Sequence, residues 1–216
     1  MTDLILALDQ GTTSSRSILF TEKAEIRAVA SEPLECRFPD SGWVEQDAES
    51  IWETQRSTIV KVLNQAGIGL SEVSAIGITN QRESTIAWNR ETGEALCPAI
   101  NWQCRRTAGF CDELKEEGFD ELIRNRTGLV TDPYFSGTKM HWILQNVPEV
   151  ANLARQAKLC FGTVDSWLIW KLSGGTTHAI EISNASRTLV FDIQKCEWDS
   201  EILSRFGIPP ESLPEV

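Results

Sequence analysis

The sequence predicts an α/β fold in which helices flank a mixed sheet. Short apolar runs of strand length alternate with a long stretch of helical period, in the order strand, strand, strand, helix, strand. The composition, 41% hydrophobic and 24% charged, is ordinary for a globular protein. At 216 residues the chain can form one large domain or two small ones with a sizeable core.

The first half of the chain supplies the predicted sheet. LILALD, which begins at Leu4, has the pattern of a buried strand, and SRSILF follows closely enough to form a hairpin through a polar loop. EIRAVASEPLE is a possible third strand, and VSAIGITN is predicted to be another buried one. Residues 47–66 are predicted to be helical, with Asp47 as N-cap and Gly67 as the stop. The predicted apolar face of this helix consists of Trp52, Ile59, Leu63 and Ala66.

The second half is predicted to contain shorter elements. STIAWN and ALCPAINW flank the turn RETGE, and three stretches are helical: CRRTAGFCDELKEEG up to Gly118, TKMHWILQN, and VDSWLIWKLSG before a Gly pair. We expect Lys139 and His141 to lie on a solvated helix face. The Pro-rich tail FGIPPESLPEV is typical of a linker or of the edge of a larger domain.

Charge and hydropathy exclude several function classes. The net charge is −11, which disfavours nonspecific binding to nucleic acid or to an anionic membrane. The apolar run Leu4–Leu8 is too short for a secretory signal or a membrane span, and Asp3 stands where a signal peptide carries a basic residue. We therefore expect a cytoplasmic protein with no membrane insertion.

The cysteines are expected to be reduced. The six include no CxxC pair, which argues against a zinc ribbon or a redox motif. Cys104 and Cys111, in one predicted helix, would lie about 10 Å apart along its axis, too far for a disulfide.

The stretch DQGTTSSR, residues 9–16, has the composition of a phosphate-binding loop. Asp9 ends a predicted strand and can hold Mg²⁺ through water, while Gly11 permits a close backbone approach. Three residues, Thr12, Thr13 and Ser14, can donate to phosphate oxygens, and Arg16 adds a cation. From composition alone, a hairpin turn with self-capping hydroxyl groups explains the same residues and is favoured. Walker A and GxGxxG patterns are both missing from the sequence.

A second group of residues can bind a polyol. In TNQRES, Arg82 can donate to a vicinal diol while Glu83 accepts. Trp102 and Tyr134 can cover the carbon face of such a ligand. A solvated ion pair and two core aromatic residues are the simpler explanation when each motif is taken alone. The two histidines are isolated, which gives no support to a metal site or a His-based triad.

Taken together, the motifs resemble the N-terminal domain of the FGGY carbohydrate kinases, and the glycerol kinases more than the sugar kinases. The stretches that carry this resemblance run in order along nearly the whole chain: LDQGTTSSR, GWVEQD, GITNQRE, NWQCRRT, TGLVTDPYFSGTK, FGTVDSWLIWKL and NASRTLVFDI. The resemblance implies a ribonuclease-H-like, actin-like ATPase fold. It implies ATP-dependent phosphorylation of glycerol to sn-glycerol 3-phosphate with Mg²⁺, in a full-length protein that self-associates.

The resemblance also assigns roles to residues. It matches Thr12, Thr13, Ser14 and Arg16 to the loop facing the nucleotide phosphates, Asp9 to the acid near the metal, and Arg82, Glu83, Trp102 and Tyr134 to the glycerol pocket. Glycerol kinases are roughly twice this length, and the family's general base, an aspartate, lies downstream. Residues 1–216 are therefore expected to form an N-terminal domain without the adenosine-binding domain, without a catalytic base and with little or no activity alone.

Two other functions fit the sequence. An FGGY kinase for another small polyol or a ketose would phosphorylate erythritol or dihydroxyacetone much faster than glycerol. A noncatalytic actin-like module would bind nucleotide or partners without turnover, and changes at Arg82 and Glu83 would not alter polyol binding. The presence of a diol-binding pair together with an aromatic wall argues against the module.

Overall fold

The computed structural model describes residues 3–216, which belong to two compact units. The first unit comprises residues 1–36 and 47–81, and the second comprises residues 37–46 and 82–216. The strands are β1 (Leu4–Gln10), β2 (Ser14–Thr21), β3 (Ile26–Pro33), β4 (Glu45–Gln46), β5 (Val73–Asn80), β6 (Ile86–Asn89), β7 (Ala99–Ile100), β8 (Leu159–Gly162), β9 (Phe191–Asp192) and β10 (Glu197–Trp198). The helices are α1 (Ala48–Ala66), α2 (Ala108–Glu116), α3 (Phe119–Thr127), α4 (Ser136–Asn146), α5 (Pro148–Arg155), α6 (Val164–Leu172), α7 (Ile182–Ala185) and α8 (Ser200–Phe206), with short 3₁₀ turns at Leu70–Glu72 and Pro210–Ser212.

Four strands of the first unit form one mixed sheet in the order β3-β2-β1-β5. β1 pairs antiparallel with β2, β2 pairs antiparallel with β3, and β1 pairs parallel with β5. The predicted hairpin is thereby confirmed. The parallel pair requires a crossover connection, which contains α1.

Helix α1 has the predicted bounds. The Asp47 carboxylate accepts a hydrogen bond from the Ser50 N–H (2.8 Å), and Gly67 ends the helix in the left-handed region at φ 68°. The buried face differs from the predicted one, because Trp52 and Ala66 are only half-buried. The residues of α1 that are fully buried are Ala48, Ile51, Gln55, Thr58, Ile59, Val62 and Leu63.

The core of the first unit lies between α1 and one face of the sheet. Leu4, Leu6 and Leu8 alternate inward from β1, while Ile5 on the other face is 42% exposed. The prediction that VSAIGITN is buried is wrong, since β5 lies at the edge of the sheet and Ile76 is 41% exposed. An edge strand has a neighbour on only one side, so an apolar run does not guarantee burial there.

The second unit combines three two-stranded sheets with seven helices, α2 to α8. The sheets pair β4 with β7, β6 with β8, and β9 with β10. Large aromatic side chains fill the core, and the rings of Trp88 and Trp167 lie 5.3 Å apart. Among residues 3–216, no helix is both long and apolar enough to cross a membrane.

Two helix predictions in this unit need correction. The helix expected from Cys104 begins only at Ala108, because turn hydrogen bonds such as Cys104 N–H to Asn101 O (3.0 Å) precede it. The sequence patterns also missed α3, α5, α7 and α8, which are nine residues or shorter. Short helices give too few turns for a clear period.

The tail predicted to be a linker is packed into the second unit instead. Ile208 and Leu213 are buried, and the Glu215 N–H donates to His178 O (3.0 Å). The Trp198 indole N–H donates to Pro214 O (2.9 Å). The prolines shape a turn in which other residues are buried. Composition alone does not distinguish such a turn from a linker.

All six cysteines are free thiols. Cys104 lies in the turn before α2, so the prediction that it shares a helix with Cys111 is wrong. Burial raises the pKa of the Cys97 and Cys111 thiols to about 12, which keeps both protonated at neutral pH.

Candidate functional site

The loop between β1 and β2 is a tight turn at the end of the hairpin. The Gly11 N–H donates to Ser14 O (2.9 Å) and closes the turn. A Cβ at Gly11 would lie 3.2 Å from the same oxygen, so the turn leaves little room for a side chain there.

The carbonyl groups of this loop are held by donors from the same unit. Gly11 O accepts from the side-chain amides of Gln10 (3.1 Å) and Gln81 (3.0 Å). Thr13 O accepts from the Leu34 N–H (2.9 Å). The loop backbone therefore has a defined orientation that its neighbours enforce.

That orientation determines where the next N–H groups point. In a planar trans peptide, the N–H of one residue points opposite to the carbonyl of the residue before it. Gly11 O accepts from Gln81, which follows the edge strand β5, and Thr13 O accepts from Leu34, which follows the opposite edge strand β3. The Cys36 thiol lies 3.8 Å from Thr12 O. The N–H groups of Thr12 and Ser14 consequently point away from the donors that hold Gly11 O and Thr13 O.

Asp9 and Arg16 flank the loop on one face of the sheet. They are direct register partners in the β1–β2 pair. Asp9 Oδ2 and Arg16 Nη1 lie 3.9 Å apart, and both side chains are nearly half-exposed. Each charge stays accessible to solvent and to a ligand.

Neutral polar side chains are buried beneath this loop, and sequence reasoning missed them. Ser17 Oγ and Thr58 Oγ1 lie 2.8 Å apart, and Gln55 Nε2 donates to Ser17 Oγ (3.0 Å) and to Arg16 O (3.0 Å). Gln10 is also fully buried. These bonds fasten α1 to β2 through groups that carry no charge. Ser15 and Ser17 share the two-residue period of the buried Leu19 in β2, and this period was the available signal.

The second unit places Glu83 in an ionic environment. Its side chain is 5% exposed, and Oε1 accepts a hydrogen bond from Arg187 Nε at 2.8 Å. Arg82 is exposed, and within residues 3–216 its guanidinium group has no ion pair. The simpler explanation for this dipeptide, a solvated Arg82–Glu83 pair, is therefore wrong for Glu83.

Trp102 and Tyr134 meet in the second unit. Their ring centroids lie 5.4 Å apart at 64°, and both side chains are only half-buried. The Trp102 N–H donates to Ser84 Oγ (3.1 Å), which ties the tryptophan to the segment that carries Glu83. The guanidinium carbon of Arg187 lies 5.8 Å from the Tyr134 ring centroid. Four residues thus form one group of a buried carboxylate, its cation and two aromatic rings, which we call the aromatic–carboxylate cluster.

Lys139 and His141 do not lie on a solvated helix face as predicted. Lys139 is fully buried, and its ammonium group donates to the carbonyls of residues 133 (2.9 Å), 134 (2.6 Å) and 135 (3.0 Å). Burial lowers the pKa of Lys139 to about 7. His141 is half-buried, and its ring stacks on Phe110 at a centroid distance of 3.8 Å. The local sequence of helix α4 gives no sign of either environment.

The protein side chains alone do not build a metal cage. Among residues 3–216, no group of three or more His, Cys, Asp or Glu side chains is arranged to hold a metal ion. A single accessible carboxylate such as Asp9 fits an ion that takes most of its ligands from water and phosphate, as Mg²⁺ commonly does.

Comparison with known proteins places these residues in context. The family model described as "FGGY family of carbohydrate kinases, N-terminal domain" matches residues 4–216. The chain is 54% identical over 212 residues to a glycerol kinase of Koribacter versatilis, covering 98% of this chain and 43% of the relative. It is 52% identical over 216 residues to the glycerol kinase of Geobacillus kaustophilus, covering 100% of this chain and 44% of that protein. The chain thus spans less than half the length of these curated relatives.

Solved structures agree on the fold. The crystal structure of Plasmodium falciparum glycerol kinase with ADP superposes with a TM-score of 0.92 at 31% identity, covering 99% of this chain and 43% of that one. A gluconate kinase from Lactobacillus acidophilus gives a TM-score of 0.88 at 23% identity, covering 100% and 42%. The predicted actin-like fold, with its mixed sheet and flanking helices, is confirmed.

Proposed function

The chain belongs to the FGGY family of carbohydrate kinases, and on that premise we propose that it is the N-terminal part of a glycerol kinase. The full-length enzyme would be an ATP:glycerol 3-phosphotransferase that converts glycerol into sn-glycerol 3-phosphate. The observation that carries the choice of a polyol substrate is the aromatic–carboxylate cluster, because a module that binds only nucleotide has no use for it.

We assign the nucleotide phosphates to the loop of the first unit. The N–H groups and hydroxyls of Thr12, Thr13 and Ser14 would donate to phosphate oxygens, as consecutive backbone N–H groups do in other anion sites. Arg16 would add a positive charge at the end of the same turn. An ADP-bound glycerol kinase of the same fold supports the use of ATP.

Mg²⁺ would be held near Asp9, through water and the phosphate oxygens. The single accessible carboxylate fits this arrangement. When bound, the ion would neutralise charge on the phosphates during transfer.

We assign glycerol to the cluster of the second unit. Glu83 would accept a hydrogen bond from one hydroxyl group, and Arg82 would donate to the oxygen of a neighbouring one. Trp102 and Tyr134 would cover the carbon atoms and limit the entry of water, which would otherwise hydrolyse ATP. These residues orient the acceptor, and orientation with charge neutralisation supplies most of the catalysis in phosphoryl transfer.

None of the residues described here is proposed as the general base. We place that group, and the adenosine-binding domain, in the part of the full-length protein outside residues 1–216. A general base contributes roughly 10²- to 10⁴-fold to the rate, so the 216-residue chain alone should have little or no activity. We also propose that the full-length protein is cytoplasmic and forms homo-oligomers, which size-exclusion chromatography would test.

A coupled assay of the full-length protein with ATP, Mg²⁺ and a panel of acceptors tests the proposed function. Glycerol should have the highest kcat/KM, well above those of erythritol and dihydroxyacetone. Faster turnover of one of the others would move the assignment to another polyol or ketose kinase. Binding of nucleotide without turnover of any acceptor would favour the noncatalytic module.

A further inference from the structure

The group that fixes the Glu83 carboxylate comes from a distant part of the chain. Arg187 follows the short helix α7 and lies 104 positions beyond its partner. Its Nε donates to Glu83 Oε1 at 2.8 Å, and only about a quarter of the Arg187 side chain is exposed. A buried carboxylate needs such a partner to remain charged and in one place.

The same guanidinium group also touches the aromatic wall. Its central carbon lies 5.8 Å from the Tyr134 ring centroid and 4.9 Å from that of Phe135. A planar guanidinium group can donate along its edge and pack its face on a ring at the same time, which an ammonium group cannot do. Arg187 therefore links the carboxylate to the aromatic side of the cluster.

The backbone that carries Arg187 is held firmly. The Arg187 N–H donates to Asn184 O (2.9 Å), and Thr188 O accepts from the Gly137 N–H (2.6 Å). A Cβ at Gly137 would lie 2.6 Å from Thr188 O, so only glycine permits this approach. The arginine is thus fastened to the beginning of α4, the helix that directly follows Tyr134 and Phe135.

This geometry leaves the rest of the carboxylate for a ligand. The described bond to Arg187 uses Oε1, and Oε2 has lone pairs that can accept from a hydroxyl group. Rotation of the carboxylate, or movement of Tyr134, would misplace the two surfaces that the acceptor is proposed to contact.

We propose that Arg187 is a positioning residue for the polyol: it holds Glu83 and Tyr134 in the arrangement that glycerol requires. This inference rests on the proposed function. It predicts that loss of the guanidinium group weakens use of the acceptor and leaves use of ATP unchanged, although Arg187 need not contact either reactant.

The test compares Arg187→Gln with Arg205→Gln in the full-length protein. Arg205 is a matched control, because it pairs with Glu117 through two bonds of 2.9 and 2.8 Å and lies 5.3 Å from the Phe110 ring, outside the cluster. Arg187→Gln should raise the KM for glycerol at least tenfold and change the KM for ATP less than twofold. Arg205→Gln should change neither KM by more than twofold.

A double variant separates positioning from a purely structural role. If Arg187 acts through Glu83, adding Arg187→Gln to Glu83→Gln should raise the KM for glycerol little further. Independent, multiplying effects would overturn the proposal, as would an unchanged KM for glycerol or an equal rise in both KM values. If Arg187→Gln does not fold, Arg187→Lys decides, and it should raise the KM for glycerol while keeping the KM for ATP.

Turnover by the wild-type enzyme distinguishes a failure of the proposed substrate from a failure of the role given to Arg187. A wild-type enzyme that prefers another acceptor would overturn glycerol as the substrate, and the same pair of KM values would then be measured with that acceptor. A wild-type enzyme active on glycerol, whose Arg187→Gln variant has an unchanged KM for glycerol, would overturn the role of Arg187 alone.

Discussion

The phosphate loop of the first unit and the aromatic–carboxylate cluster of the second are stabilised by different means. Neutral backbone and amide groups hold the loop: Gln10 and Gln81 donate to Gly11 O, and Leu34 donates to Thr13 O. The loop itself comes from a few consecutive residues. The hairpin turn and the hydrogen bonds from neighbouring residues fix the geometry of the loop.

Ionisable side chains with little exposure to solvent hold the cluster instead. Lys139 binds three carbonyls of the segment that carries Tyr134, and Arg187 binds Glu83. The residues involved come from positions between 83 and 187. Burying a charge costs solvation, so this design depends on every partner being present. We therefore expect the first unit to tolerate the loss of a single interaction better than the second.

Removal of Lys139 should have the largest effect on stability. Lys139→Met leaves three carbonyl groups without their donor, and we expect a loss of about 3 to 5 kcal/mol in the free energy of unfolding of the second unit. Urea unfolding followed by tryptophan fluorescence measures this loss, since Trp52 is the single tryptophan of the first unit. Lys195→Met is the control, because Lys195 is exposed and should cost less than about 0.5 kcal/mol. Equal losses in the two variants would show that the buried Lys139 does not support the second unit as proposed.

We expect acidic pH to lower the stability of the second unit more than that of the first. Burial lowers the pKa of His178 to about 4, and its Nε2 lies 2.8 Å from Phe161 O, as a neutral ring donating to that carbonyl does. The unfolded chain, with a His pKa of about 6.5, binds more protons between pH 4 and 6.5. Stability from this group is therefore complete above pH 6.5 and is lost as the pH falls through 4.

Over this pH range, the free energy of unfolding should fall by up to about 3 kcal/mol because of His178. Urea unfolding at several pH values should show a smaller decline from pH 6.5 to 4 for His178→Gln than for the wild type. The glutamine keeps an N–H donor without titrating in this range. The polar network under the phosphate loop has no group that titrates there. Identical slopes for the two proteins would show that His178 is not the origin of the sensitivity.

Two helix N-caps offer a direct comparison of the units. The Asp47 carboxylate accepts from the Ser50 N–H of α1 at 2.8 Å, whereas the Asp199 carboxylate accepts from two N–H groups of α8 at 3.0 and 2.9 Å and also lies 3.6 Å from Arg126. Asp47→Ala should cost about 1 kcal/mol, and Asp199→Ala about 2 kcal/mol, because the second change also removes a buried partner of a charge. Denaturant titration of each variant measures both values. A larger cost at Asp47 would reverse the comparison.

Loss of the neutral support of the loop is expected to affect the use of ATP rather than the stability of the unit. Gln81→Ala removes bonds of 2.9 Å to Gln10 Oε1 and 3.0 Å to Gly11 O. We expect the KM for ATP of the full-length enzyme to rise roughly tenfold, equivalent to about 1.4 kcal/mol, with little change in the KM for glycerol. Gln65→Ala, on the exposed side of α1, is the control. A rise in the KM for glycerol alone would contradict the role given to the loop.

The same contrast explains what the sequence could predict. The hairpin, α1 with both caps and the β5 strand depend on local patterns, and the structure has all of them. Lys139 and Arg187 could not be located in this way. The partner of Arg187 lies 104 positions away in the sequence. Lys139 has its carbonyl acceptors only four to six residues before it, but its burial depends on packing that the local pattern does not show. The exposure of Ile76 was missed for the same reason, since the position of a strand within a sheet is not a local property.

The site residues predicted from sequence stay proposals, although the structure groups several of them. Glu83, Trp102 and Tyr134 meet in one cluster, while Asp9 and Arg16 face each other across the hairpin. What sequence reasoning lacked was the supporting residues, because side chains that hold other side chains carry no motif of their own.

One crossed kinetic measurement tests the division of roles most directly. Arg16→Gln and Glu83→Gln each remove one charge, in the first and the second unit respectively. In the full-length enzyme, Arg16→Gln should raise the KM for ATP roughly tenfold and spare glycerol, and Glu83→Gln should raise the KM for glycerol roughly 10- to 100-fold and spare ATP. If both variants raised the same KM, or each raised both equally, the assignment of phosphate to the loop and polyol to the cluster would be wrong.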